Sequence, residues 1–229
     1  MAPHKGGPPR REAVRVKTAG KRKSSSTQWL QRQLNDPYVS EAKRLGYRSR
    51  AAFKLIELDD RFHFLKSGAR VVDLGAAPGG WTQIAVQRVG ALKGKGLVVG
   101  VDIQPIQPIP GAMLLQADFM DPSTPAAIKA ALCGNADLVL SDMAAPAMGH
   151  QQTDHARIVA LAEAAYDFAV EILAPRGGFV CKVFQGGAEG ELLRRLKYDF
   201  AELRHAKPPA SRSESAEVYL VAQGFRAST

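Results

Sequence analysis

Ionisable residues stand where apolar runs end or are interrupted. Asp102 closes L-V-V-G-V-D, Asp142 closes D-L-V-L-S-D, Lys182 interrupts G-F-V-C-K-V-F, and Glu217 opens E-V-Y-L-V-A. Lys54 lies in A-A-F-K-L-I-E-L, whose apolar residues recur at helical spacing. An unpaired charge inside an apolar run costs several kcal/mol, so Lys182, flanked by Val180, Cys181, Val183 and Phe184, demands partners. Lysines and carboxylates gathered at strand ends can take a proton from a hydroxyl or stabilise a developing alkoxide. A purely structural buried ion pair would satisfy the same physics. Cys181 and Lys182 point to opposite faces of their strand, and Cys181 is assigned to the core.

The stretch Val71 to Trp81, V-V-D-L-G-A-A-P-G-G-W, supplies what such a group would act beside. An apolar run ends in an acid and then a glycine-rich turn, the punctuation of a buried strand feeding a ligand loop. Gly75, Gly79 and Gly80 carry no Cβ, so a ligand can approach the main chain. The dinucleotide pattern G-x-G-x-x-G is not met, because position 77 is Ala and Pro78 sits in the turn. A small ligand other than a pyrophosphate is expected. At the end of the following strand, Asp102 can accept two hydrogen bonds from a cis-diol. Asp118 follows a third strand, where it either meets the ligand or shapes the Asp121-Pro122 turn.

These residues need a scaffold, and the patterns provide one. Strands are predicted at about 70–75, 97–102, 112–116, 137–142, 178–184, 200–206 and 217–222, and helices at about 81–90, 125–133, 155–173 and 188–196. A short helix opens at Asp36-Pro37 and stops at Gly46, and another runs from Ser49 to about Phe62 and carries Lys54. The alternation gives an α/β class, a mostly parallel seven-stranded sheet with helices on both faces. Ligands in such sheets bind beyond the carboxyl ends of the strands, where strand order switches.

Charge is unevenly placed. Of the formal +9, residues 1–27 hold eight Lys/Arg and one acid, residues 28–66 eight Lys/Arg and five acids, so residues 67–229 sum to −1. The first stretch has almost no large apolar residue and cannot offset its ordering entropy by burial. It reads as a basic disordered arm, 1–27, ahead of one domain, 28–229, and points to a polyanionic partner bound through counterion release. A solubilising tail is the plain alternative. Arg48, Arg50, Lys207 and Arg212 near the active face are candidates for the phosphates of such a partner. Tyr47 and Phe53 are candidates for base stacking, with Phe53 at core spacing. Cys133 and Cys181 have no C-x-x-C spacing, and His150, Asp154 and His155 read as a polar loop with a helix cap, so no metal site is expected. No run reaches the roughly 18 apolar residues of a membrane helix, and a reducing cytoplasm fits two cysteines.

The motifs N-D-P-Y-V-S-E-A, G-Y-R-S-R-A-A-F-K-L, V-V-D-L-G-A-A-P-G-G-W, V-D-I-Q-P, Q-A-D-F, L-S-D-M-A, G-F-V-C-K-V-F and S-R-S-E-S-A-E-V-Y-L-V resemble, in order and spacing from about residue 28 to 225, the RrmJ/FtsJ family of ribose 2′-O-methyltransferases. The resemblance implies a single Rossmann-like domain dependent on S-adenosyl-L-methionine. It implies a catalytic tetrad at Lys54, Asp142, Lys182 and Glu217, and cofactor contacts at Gly79, Trp81, Asp102, Asp118 and Asp142. It further implies a uridine 2′-hydroxyl in the A loop of 23S rRNA as target, within the large ribosomal subunit, and a monomeric enzyme. Relatives acting on tRNA or mRNA caps form the nearest alternative, and a non-catalytic ribosome-assembly factor is the rival from another class. After Asp142 the chain reads M-A-A-P-A-M-G-H where bacterial members have M-A-P-N-M-S-G, so the Asn of that loop is missing. Whether Lys182 works as a neutral base or as an ammonium steadying the alkoxide stays open at this level.

Overall fold

Apolar side chains that alternate along each strand can be buried only if both faces of the sheet are covered, and that is the arrangement found. The structure, a computed structural model, describes residues 24–145, 148–185 and 190–227. Its strands are β1 (Arg70–Leu74), β2 (Leu97–Asp102), β3 (Ala112–Gln116), β4 (Ala136–Ser141), β5 (Leu173–Phe184), β6 (Phe200–Ala206) and β7 (Glu217–Phe225). Its helices are α1 (Ser24–Asn35), α2 (Pro37–Leu45), α3 (Ala51–Phe62), α4 (Gly80–Val89), α5 (Thr124–Leu132), α6 (Gln151–Ile172) and α7 (Gly190–Asp199). Val72, Leu74, Val99, Val101 and Val139 face one core with α5, α6 and α7. Their neighbours Val71, Val98, Leu138, Leu140 and Val180 face a second core with α3 and α4.

The sheet runs in the order β3-β2-β1-β4-β5-β7-β6. Pairing is parallel from β3 to β5, and β7 is antiparallel to both of its neighbours. Strand order switches between β1 and β4, so their carboxyl ends open a crevice of the kind that binds ligands. Because β7 runs the other way, its first residue, Glu217, lies level with the end of β5, opposite Phe184. That reversal brings the two late motifs to the same edge as the first ones.

Helix ends follow the local chemistry. Asp36 caps α2 by accepting from the Tyr38 N–H, Pro37 occupies the first turn, and Gly46 ends the helix at φ 75 in the left-handed region. In the first turn of α6, Asp154 accepts from Met148 N at 2.8 Å and Gly149 N at 3.2 Å, which fixes the helix start at Gln151, earlier than its apolar pattern alone suggests. The expectation of a disordered arm falls on residues 1–23, outside the described residues. Residues 24–27, read from composition as part of that arm, form instead the first turn of α1. Its large apolar residues in sequence are Trp29, Leu30 and Leu34, a stripe too short to register as a core-forming pattern.

Candidate active site

The carboxyl ends of β1, β2 and β4 and the turn after β3 enclose a cavity of about 550 Å³, lined among others by Gly75, Asp102, Asp118 and Asp142. At Gly75, held at φ 76, an added Cβ would lie 2.8 Å from the Met143 backbone. Only glycine lets the β1 turn approach the segment after β4 so closely. Asp102 is fixed by two backbone donors, Ala77 N to Oδ2 at 2.9 Å and Gln104 N to Oδ1 at 2.8 Å. Each of its oxygens retains a second lone pair, which suits a diol. Asp118 Oδ1 accepts from Met120 N at 2.9 Å, a turn-forming bond that leaves Oδ2 without a protein partner among the described residues.

Gly79 and Trp81 are placed otherwise and do not line this cavity. Gly79 sits at φ 109, and a Cβ there would fall 2.6 Å from Ile109 Cδ1, so glycine serves the packing of the turn. Trp81 is 3% exposed, donates its indole N–H to Ala51 O at 2.8 Å, and packs its ring 5.6 Å from that of Tyr219. Helical spacing explains this: Trp81 shares the core-facing side of α4 with Ile84 and Ala85.

Lys54, Asp142, Lys182 and Glu217 come together at the rim of the cavity. Lys54 Nζ lies 2.7 Å from Glu217 Oε1, and Lys182 Nζ lies 2.9 Å from Asp142 Oδ1. Lys182 also donates to Asp142 O at 2.7 Å. Both lysines are at least nine-tenths buried, so each needs its carboxylate. Tyr219, which sequence reasoning passes over, joins the two pairs: its hydroxyl donates to Asp142 Oδ1 at 3.0 Å and accepts from Lys54 Nζ at 3.4 Å. It faces Lys182 across the β5–β7 ladder. Burial, reinforced by Asp142 and Glu217, pushes its hydroxyl well above the usual tyrosine range, so it remains a donor. The signal for it is its position two residues after Glu217, on the same strand face.

Arg48, Arg50, Lys207 and Arg212 are engaged within the protein. Arg50 Nε lies 2.8 Å from Asp36 Oδ2, and Arg212 Nη2 lies 3.3 Å from the same oxygen. Lys207 donates to Ser213 O and Ser215 O, and Arg48 to three backbone carbonyls. Phe53 is buried as its spacing implies, with Tyr47 edge-on at 5.6 Å.

Asp73, on β1 beneath the cavity, is fully buried. Its Oδ2 accepts from Thr82 Oγ1 at 2.6 Å, and its Oδ1 finds no partner among the described residues. Burial first, with the Asp142 and Asp102 charges adding, pushes its carboxyl up to about 7. A carboxyl raised in the fold contributes stability that is full below its unfolded value and is lost as pH rises through the folded one. Chemical denaturation across pH 4 to 8 is therefore expected to show wild-type stability falling relative to Asp73→Asn up to about pH 7, with a constant gap above it. Parallel profiles would contradict this assignment.

Residues 47–225 match the model of the FtsJ-like methyltransferases. The chain belongs to this family. Among its relatives, a ribosomal RNA large subunit methyltransferase E of Paramagnetospirillum magneticum is 65% identical over 225 residues, 97% of this chain and 92% of the relative. One of the same name from Rhodospirillum rubrum is 66% identical over 214 residues, covering 93% and 81%. A solved ribosomal RNA methyltransferase of Plasmodium falciparum superposes with a TM-score of 0.70 at 31% identity, covering 78% of this chain and 98% of that one. The cofactor of an FtsJ-like methyltransferase is S-adenosylmethionine, which supplies an electrophilic methyl on sulfur. The residues present fit it: a volume within the usual range for small-molecule sites, a glycine cradle at Gly75, and an anchored diol acceptor at Asp102.

Proposed function

We propose that this protein methylates the ribose 2′-hydroxyl of a uridine in the A loop of 23S rRNA, in the large ribosomal subunit and in the cytoplasm. The observation that carries the chemical part is the double membership of Asp142. It lines the cofactor cavity, and its Oδ1 receives both Lys182 and Tyr219. Proton handling and methyl donor therefore adjoin. The names of the 65% and 66% identical relatives support the choice of large-subunit rRNA.

In this reading Asp102 holds the ribose hydroxyls of the cofactor, Asp118 its adenine amine, and Asp142 borders its methionine part. Asp142 Oδ1 and O occupy two positions around Lys182 Nζ, so the one that remains, a lone pair on the amine or an N–H on the ammonium, is what can meet the substrate hydroxyl. The cofactor would supply a methyl carbon whose bond to sulfur breaks as the 2′-oxygen bonds to it, leaving a neutral thioether, while Lys182 as the amine would take the 2′-proton. Asp142 then stabilises the ammonium that results, and solvent removes the proton. Lys54, set by Glu217 and Tyr219, keeps one N–H for the developing alkoxide. Holding the hydroxyl in line with the methyl–sulfur bond supplies much of the rate. Mapping of 2′-O-methyl groups on 23S rRNA from a strain lacking the gene tests the assignment: the A-loop uridine is expected to be unmodified, and its continued methylation would refute the target.

The basic segment adds affinity in this scheme. Residues 1–23 hold eight Lys/Arg and one Glu, +7 of the net +9. Deleting them is expected to leave cofactor affinity unchanged and to weaken binding to the particle. Every phosphate that these cations no longer neutralise should lower the slope of log affinity against log salt by about 0.7 to 0.9. Equal slopes for truncated and full-length chains would make the segment a solubilising tail.

A further inference from the structure

Arg48 lies in the segment between α2 and α3, next to the cofactor turn rather than out in solvent. Its backbone N–H donates to Gln83 Oε1 at 2.8 Å, and Gln83 Nε2 donates to Gly46 O at 3.1 Å, so α4 clamps the segment. The guanidinium reaches two further stretches of chain. Nη1 donates to Gln107 O at 2.6 Å and Pro78 O at 3.3 Å, and Nη2 donates to Pro108 O at 2.7 Å. Its stem packs on the turn, since a Cβ at Gly79 would lie 3.0 Å from Arg48 Cδ.

Pro78 belongs to the turn that contains Gly75 and Ala77. Gln107 and Pro108 belong to the connection that leaves Asp102, Ile103 and Gln104, all of which line the cavity. Pro78, Pro105, Pro108 and Pro110 have no N–H, so the two stretches are poor in backbone donors with which to bond one another. A planar guanidinium carries five donors at fixed angles and can serve carbonyls from both. Arg48 has no carboxylate partner among the ion pairs of the described residues, so its charge is met by peptide dipoles alone.

We infer that Arg48 is a positioning residue for the cofactor cavity: it ties the β1 turn and the β2–β3 connection to the start of the helix that carries Lys54. The inference rests on the cavity being the S-adenosylmethionine site and is independent of which RNA is methylated. It also reassigns a residue whose place in the sequence suggests RNA phosphate.

The test uses the full-length chain with Arg48→Ala and Arg48→Lys. S-adenosylmethionine affinity is measured by calorimetry, RNA affinity at several salt concentrations, and kcat and KM for cofactor separately. Arg48→Ala should weaken the cofactor about 10-fold or more, as expected when charge-assisted bonds that set a wall are removed. It should leave kcat at saturating cofactor within about threefold, with an unchanged RNA salt slope. Arg48→Lys should recover only part of the affinity, because one ammonium cannot span both stretches, and it keeps the test valid if the alanine variant fails to fold. Unchanged cofactor affinity with a reduced RNA salt slope would overturn the inference in favour of phosphate contact. Unchanged cofactor affinity with only a lower melting temperature would overturn it in favour of a structural strut. Absence of cofactor binding by the wild type would overturn both the inference and the cavity assignment beneath it, and is thus distinguishable from either.

Discussion

Replacing Lys182 with Ala is expected to slow methyl transfer by about 10²- to 10⁴-fold, the usual contribution of a positioned acid–base group, while S-adenosylmethionine affinity stays within about threefold. The two effects separate because of where the side chain sits. Its Nζ contacts Asp142 Oδ1 and O, and Lys182 does not line the cofactor cavity. Loss of the ammonium or amine therefore removes the group that meets the substrate hydroxyl and leaves the wall around the cofactor in place. Lys182→Met preserves the apolar stem and should be as inactive as the alanine variant, which excludes a packing explanation. Single-turnover rates at saturating cofactor, with calorimetry in parallel, provide the check. A variant that turned over within tenfold of wild type would remove Lys182 from the chemistry.

Asp102→Ala should produce the complementary result. Hydrogen bonds to an ionised acceptor contribute about 1.5 to 3 kcal/mol, so cofactor affinity should fall by roughly 10- to 150-fold. Part of that decrease comes from the protein itself, since Ala77 N and Gln104 N both depend on this carboxylate and would be left without it. Asp102→Asn keeps the size and one acceptor oxygen, and should fall between wild type and alanine. At saturating cofactor both variants should recover most of the wild-type rate. Equal cofactor affinity in wild type and Asp102→Ala would place the diol elsewhere.

The parts of the fold that are legible in the sequence are those where burial writes a period. The patterns predict β2, β3 and β6 at their observed bounds, and the alternation of Val71 and Val72 between two cores is the period-two pattern itself. Helix α1 escapes such reading because its stretch lacks the dense apolar face that marks α3. Lys182 and the acids at the strand ends are legible because a charge in or beside an apolar run is conspicuous, whereas their grouping with Lys54 comes from the family motifs. Tyr219 is not, since a tyrosine in a strand looks like core until its hydroxyl is seen between Asp142 and Lys54. Trp81 shows the reverse case, a residue drawn to the cofactor by its motif and to the core by its helical phase. The arginines near the active face read as available to RNA, whereas Arg48 and Arg50 reach carbonyls far away in sequence, and Arg50 also the cap residue Asp36, which no local pattern encodes.

The proposed activity is methylation of a ribose hydroxyl of large-subunit rRNA by the Lys182–Asp142 and Lys54–Glu217 pairs that Tyr219 joins beside the cavity. Its most direct test incubates the purified full-length protein with cofactor labelled in the methyl group and large ribosomal subunits from a strain lacking the gene. Labelled 23S rRNA is then hydrolysed in alkali, which cleaves every linkage except those beside a 2′-O-methyl ribose. Label is expected in one alkali-resistant dinucleotide from the A loop, and to be absent when the Lys182→Ala protein is used. Label on a base, label elsewhere in the RNA, or no transfer by the wild type would contradict the proposed activity.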